Sequence, residues 1–146
     1  MSDHRLEMFN RAMDFYGLKE IPGEVNNPII VKFFKDIGYK WVQDDETAWC
    51  SAFINWLAWS LRLEMSGKLT ARSWLDVGTS IQDPLRGHLA IFYRGDPGGW
   101  QGHVGLFVRI EGDSVLVLGG NQSNQVKISP YPYSRLLGYR ELNLTV

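Results

Sequence analysis

The run Trp49-Cys50-Ser51-Ala52-Phe53-Ile54-Asn55-Trp56-Leu57-Ala58-Trp59 decides how the chain is read. Trp49, Phe53, Trp56, Leu57 and, further on, Leu61 recur at intervals of three and four residues, the spacing of a buried helical stripe. Cys50, the only cysteine of the chain, stands at the N-terminal edge of that stripe, directly after Asp44-Asp45-Glu46. A thiol in the first turn of a helix meets the partial positive charge of unsatisfied backbone N–H groups, which predicts a lowered pKa and a reactive thiolate. The same position also suits a small buried hydrophobe.

Upstream, Arg5 to Tyr16 places Leu6, Phe9, Met13 and Tyr16 on one helical face, with Met8, Ala12 and Phe15 flanking it and Gly17 at the stop. Glu20-Ile21-Pro22-Gly23 reads as a turn. Pro28 opens a second short helix with Ile29, Ile30, Phe33, Phe34 and Ile37 inward, ended by Gly38. Downstream, from about Pro84, the period changes from helical to alternating. Leu89 to Arg94, His103 to Ile110, Val115 to Leu118 and Gln125 to Ile128 read as strands, and Leu136-Leu137-Gly138-Tyr139-Arg140 is placed to close their sheet. The segments between them, Gly95 to Gly99, Glu111-Gly112-Asp113 and Gly119-Gly120-Asn121-Gln122, carry turn residues. Helices followed by an antiparallel sheet of about five strands make the expected class α+β, and 146 residues without a linker or repeat make residues 1–146 one expected domain.

Composition narrows the function. Fifteen basic against sixteen acidic residues leave a formal charge of -1 with no basic tract, which argues against nucleic acid. The apolar stretch around Cys50 is broken by Ser51, Asn55, Ser60 and Arg62, too short and too polar to span a bilayer. The start, Met1 to Arg5, lacks the features of a secretory signal, so cytoplasmic synthesis without such export is expected. One cysteine allows no internal disulfide.

A nucleophilic Cys50 needs a base. Of three histidines, His4 lies at the N-terminus, His88 precedes a strand, and His103 begins one between Gly102 and Val104-Gly105. Flanking glycines let backbone and substrate approach the ring, so His103 is the better candidate and His88 a solvated loop histidine. The amides of Gly119-Gly120-Asn121-Gln122-Ser123-Asn124 offer an orienting group for the far ring nitrogen, and equally suit a turn with positive φ. Trp49, Trp74 and Trp100 are candidates to line a substrate groove, Trp100 foremost because it sits in a Gly-rich loop next to His103. Neither HExxH nor CxxC spacing occurs, so no metal and no other cofactor is expected.

In order and wording these segments resemble the NlpC/P60 and CHAP superfamily, papain-like cysteine peptidases and amidases of bacterial and phage cell-wall hydrolysis. The resemblance rests on Gly17 to Gly23, Asp45 to Phe53, Ala71-Arg72-Ser73-Trp74-Leu75, Gly102-His103-Val104-Gly105, Leu118 to Ser123 and Leu137-Gly138-Tyr139-Arg140. It implies a papain-like fold, with Cys50 as nucleophile, His103 as general base and Asn121 as the orienting residue. Gln122, on the opposite side if the strand continues, is left to substrate binding or structure. Gln43 would be an oxyanion donor, and Asp44, Asp45 and Glu46 a place for a structural calcium ion. Three departures stand out: Gly119 where many CHAP members have glutamate, His88 where aspartate is usual, and Ala48 where proline is common. The implied activity is cleavage of a peptidoglycan amide, in the stem peptide or at the muramoyl-alanine link, by a monomeric phage lysis protein or injected antibacterial effector. Peptidoglycan is then the partner, with an immunity protein in the effector case, no nucleic acid and no membrane, and the site of action is the periplasm or wall. The alternatives are an acyltransferase on the same fold and a catalytically silent wall-binding module.

Overall fold

A computed structural model describes residues 4–20, 27–39 and 49–145. Gln43, Asp44, Asp45, Glu46 and Ala48 lie outside the described residues. The architecture is α+β. Helices α1 (His4–Met13), α2 (Pro28–Asp36) and α3 (Cys50–Ser60) precede a short 3-10 turn (Ala71–Asp76) and six strands: β1 (Thr79–Ile81), β2 (Leu89–Tyr93), β3 (Gly102–Glu111), β4 (Ser114–Gln122), β5 (Gln125–Pro132) and β6 (Leu136–Glu141). All pairings are antiparallel, in the order β1-β6-β2-β3-β4-β5. β2 to β5 form a meander, and β6 returns to the free edge of β2.

Each helix forms where its capping and apolar spacing agree. Asn27 caps α2 by accepting from the Ile29 amide at 2.9 Å, and Pro28 follows at a position that needs no amide donor. α1 buries Met8, Phe9 and Ala12, whereas Leu6, Met13 and Tyr16, expected inward, are exposed. The helix is thus rotated relative to the expected face, so that the flanking residues pack. In α2 the residue turned out is Ile29.

The sheet has two apolar faces because its strands alternate. One face carries Leu89, Ile91, Val104, Leu106, Val108, Leu118 and Val126 against the three helices. The other gathers Ala90, Phe92, Phe107, Val115, Val117 and Tyr139 into a smaller cluster. The sheet curls tightly over this second face. Tyr131 of β5 lies stacked on Phe92 of β2, with ring centroids 5.1 Å apart, and on His103 of β3, at 4.6 Å.

Two differences from the sequence reading matter for the site. β1 has only three residues with little burial, too short to show a period. β4 runs on through Gly119-Gly120-Asn121-Gln122, and the chain reverses at Ser123 and Asn124, both at positive φ. Between the pairs Gly119↔Lys127 and Gln122↔Gln125, β4 advances three residues while β5 goes back two. The extra residue makes a β-bulge, with Asn121 at a φ of 58°.

Candidate functional site

Cys50 opens α3, and Trp49 sets where that end lies. Trp49 is fully buried, donates its indole N–H to Glu20 Oε1 at 2.7 Å and packs edge-on to Phe53. A Cβ on Gly120 would come within 2.5 Å of the Trp49 ring, so β4 passes close enough that only glycine fits. Trp49 is therefore a core anchor that holds the helix end against β4, and it lines no groove. The same correction applies to Trp74, buried with its indole N–H on Ser51 Oγ at 2.9 Å.

Ser51 and Asn55 belong to a polar network that escaped the sequence reading. Ser51 donates to the Lys68 carbonyl at 2.7 Å, Asn55 Nδ2 reaches the same carbonyl at 3.0 Å, and Asn55 Oδ1 accepts from the Gly67 amide at 3.0 Å. Both residues are wholly buried, so every one of these bonds counts. They tie the segment after α3 back onto its first turns.

The backbone N–H groups of Val104, Ser51 and Cys50 itself favour the thiolate form of Cys50. Burial nonetheless dominates and pushes the Cys50 thiol up, against these donors and the nearby Arg94 guanidinium. The expected thiolate at the helix end is thus corrected to a thiol. A side chain only 7% exposed loses more by desolvation than the helix terminus returns.

One of these amides belongs to Val104, the residue that follows His103 in β3. His103 is 1% exposed. Its Nε2 lies 2.8 Å from Gln122 Oε1. Gln122 in turn gives its amide N–H groups to the Val117 and Lys127 carbonyls, at 3.0 and 2.7 Å. Carbonyls only accept, so the Gln122 amide has one orientation, and its oxygen must take a proton from Nε2. That fixes the tautomer and leaves Nδ1 as a lone pair. Nδ1 is buried without a hydrogen-bond partner, and so is not hydrogen-bonded to Cys50. Burial lowers the His103 pKa to about 4, with the Gln122 bond opposing it and Arg94 adding to it. The ring is a neutral base.

The group on His103 is therefore Gln122, and Asn121 is not bonded to the ring. Alternation along a regular strand predicts the opposite, but the bulge at Asn121 shifts the residue after it by one place and turns Gln122 toward His103. Gly119, where many CHAP members have glutamate, leaves the room this requires: a Cβ there would meet Gln122 Oε1 at 2.5 Å.

Trp100 is 70% exposed, on a loop that Arg72 holds in place. The Arg72 guanidinium donates to the carbonyls of Gln101, Pro97 and Asp96 at 2.8, 2.8 and 2.7 Å, so one side chain pins the whole approach to β3. No local pattern signals this role, because the carbonyls lie far along the chain. His88, by contrast, is buried with Nδ1 accepting from the Leu85 amide at 2.9 Å and Nε2 3.2 Å from Glu141. It lies in the bend before β2, as expected of a loop histidine, but it is buried and hydrogen-bonded where a solvated ring is expected. Among the described residues no three His, Cys, Asp or Glu side chains gather as a metal site, and no helix is long and apolar enough to cross a membrane.

No family model and no curated protein matches the sequence. A crystal structure from Staphylococcus aureus subsp. aureus Mu50, of a protein described as similar to lipoprotein, NLP/P60 family, superposes with a TM-score of 0.51 at 16% identity. The match covers 97% of this chain and 42% of that protein, so the chain spans less than half its length. At this identity the likeness is one of fold alone.

Proposed function

We propose that this chain is a cysteine amidase or peptidase that cuts an amide bond of peptidoglycan at the cell wall, on a papain-like fold. One observation carries the reading: a fully buried histidine whose tautomer is fixed at Nε2 and whose Nδ1 lone pair is unused, next in the chain to Val104, whose amide acts on the only thiol of the chain. A packed structural histidine satisfies both nitrogens, and leaving one unmatched costs about 1–3 kcal/mol. The fold shared with an NLP/P60 protein supports the substrate class.

In the resting state thiol and imidazole are both neutral. As a substrate carbonyl approaches, Nδ1 of His103 takes the Cys50 proton and the sulfur attacks, giving a tetrahedral oxyanion. The backbone N–H of Cys50, at the uncapped start of α3, faces that charge. The imidazolium, held by Gln122, then protonates the leaving amine. Water attacks the thioester with His103 again as base, releasing the acid and restoring the thiol. Hydrogen bonds of this kind tighten on substrate binding.

Mass spectrometry of muropeptides released from purified sacculi tests the reading and identifies the bond. The expected result is a defined set of new termini with the wild type and none with Cys50→Ala at equal folding. Equal release by the two proteins would exclude thiol catalysis.

A further inference from the structure

Arg140 occupies a position that the pattern of β6 assigns to the core. It stands opposite Leu89 in the register of β6 with β2, so the two side chains share a face, and alternation puts Leu142 on that face as well. Leu89 and Leu142 both belong to the helix-side core. A guanidinium thus stands in an apolar series. It is half-buried, and among the described residues it makes no ion pair and no side-chain hydrogen bond. A cation drawn partly out of water needs a partner.

What Arg140 borders is a cavity of about 500 Å³, enclosed by the start of α1, the near ends of β2 and β6, and the segment after β6. Met8, Leu63, Leu89 and Leu142, none more than 8% exposed, give it an apolar floor. Arg5 shares the wall and is anchored. Its guanidinium donates to the Arg86 carbonyl at 2.6 Å, and its own carbonyl lies so close to Gly87 that a Cβ there would clash with it, so the start of α1 is fixed against the approach to β2. The carboxylate of the wall, Glu141, is engaged elsewhere. Successive strand residues point to opposite faces, and Glu141 lies 3.2 Å from Nε2 of His88, which carries the ring proton because Nδ1 accepts from the Leu85 amide. The cavity is also separate from the hydrolytic site. It adjoins Leu89, whereas Phe92, about 10 Å further along β2, is the residue opposite His103.

We propose that this cavity is a second binding site, for a small carboxylate carried on an apolar body, with Arg140 receiving the carboxylate and the floor covering the hydrocarbon. The planar guanidinium matches a carboxylate, and a single unmatched cation calls for a single negative charge. The size and lining are those of a small-molecule site, mostly apolar with a few polar groups that fix orientation. An inorganic anion would leave the floor unused, and a neutral hydrocarbon would leave Arg140 unpaired. The inference stands independently of the hydrolase reading.

Octanoate is the probe, with octanamide lacking its charge and acetate lacking its hydrocarbon. Each is titrated into the isotope-labelled whole chain below the micellar range, and the backbone amide resonances are followed. Octanoate is expected to shift the amides of Leu89, Arg140 and Leu142 and to bind about ten- to a hundredfold more tightly than either control. In Arg140→Gln the preference over octanamide should vanish, and in Arg140→Lys part of it should survive. If Arg140→Gln gives no dispersed spectrum, the three ligands on the wild type decide. Equal affinity for octanoate and octanamide would make this a plain apolar cleft, and equal affinity for octanoate and acetate a surface anion contact. Either result overturns the proposal, as do no binding at millimolar octanoate, shifts confined to other parts of the chain, or a preference retained in a folded Arg140→Gln.

Discussion

His88 and His103 are both buried at the sheet, and they differ in what their second nitrogen does. At His88 one nitrogen takes a backbone N–H and the other faces a carboxylate. At His103 one nitrogen is held by an amide whose orientation is forced, and the other has no partner. Burial alone does not mark a working histidine. The mark is an incomplete hydrogen-bond account in a place where burial makes incompleteness expensive.

The contrast predicts a ranked set of outcomes. His103→Ala should lower kcat/KM on purified peptidoglycan by about a thousandfold or more, while His88→Ala keeps most of the activity. Equal losses in two well-folded variants would erase the distinction. Next comes the residue behind the ring. Gln122→Ala should cost about ten- to a thousandfold, because the tautomer is no longer fixed, and Asn121→Ala less than about tenfold. Since the Gln122 bond favours the charged ring, its loss should also move the acid limb of the pH profile to lower pH. A normal profile in Gln122→Ala would reduce that residue to packing.

A third outcome concerns stability. His103 binds its proton near pH 6.5 when unfolded and only at about 4 when folded. The unfolded chain therefore holds more protons between these values. The stability contribution is complete above pH 6.5 and falls, by on the order of 3 kcal/mol, as the pH drops toward 4. Urea midpoints across that range should fall more steeply for the wild type than for His103→Gln, and parallel slopes would contradict the burial of a neutral ring. Smaller still are two packing effects. Gly120→Ala should destabilise by about 1–3 kcal/mol through its clash with Trp49. His88→Ala should cost about 1–2 kcal/mol by stranding the Leu85 amide. Urea unfolding checks both, and an unshifted Gly120→Ala would mean that Trp49 yields and does not fix Cys50.

Much of this was legible in the sequence. The three helices lie where apolar spacing, Pro28 and the glycine stops indicate, and four strands and the closing one lie where alternation appears. β1 was not legible, because three largely exposed residues carry no period. The end of β4 was misread because Gly-Gly-Asn-Gln has the composition of a turn. Its glycines serve contacts: Gly119 makes room for Gln122 and Gly120 for Trp49. The three tryptophans divide by partners invisible in a local window, Glu20 for Trp49, Ser51 for Trp74 and solvent for Trp100.

By itself the sequence determined the order of helical and alternating periods, hence the α+β class, and the one thiol and the glycine-flanked histidine as the pair to examine. Those properties reside in residue type and spacing, which the chain carries before it folds. Only the tertiary structure decided the rest: a thiol where the helix end alone predicts a thiolate, Gln122 in place of Asn121 on His103, and Tyr131 of β5 stacked on that histidine. Each depends on desolvation, on a one-residue bulge or on groups brought together from distant strands, and such terms exist only once the sheet has closed around them.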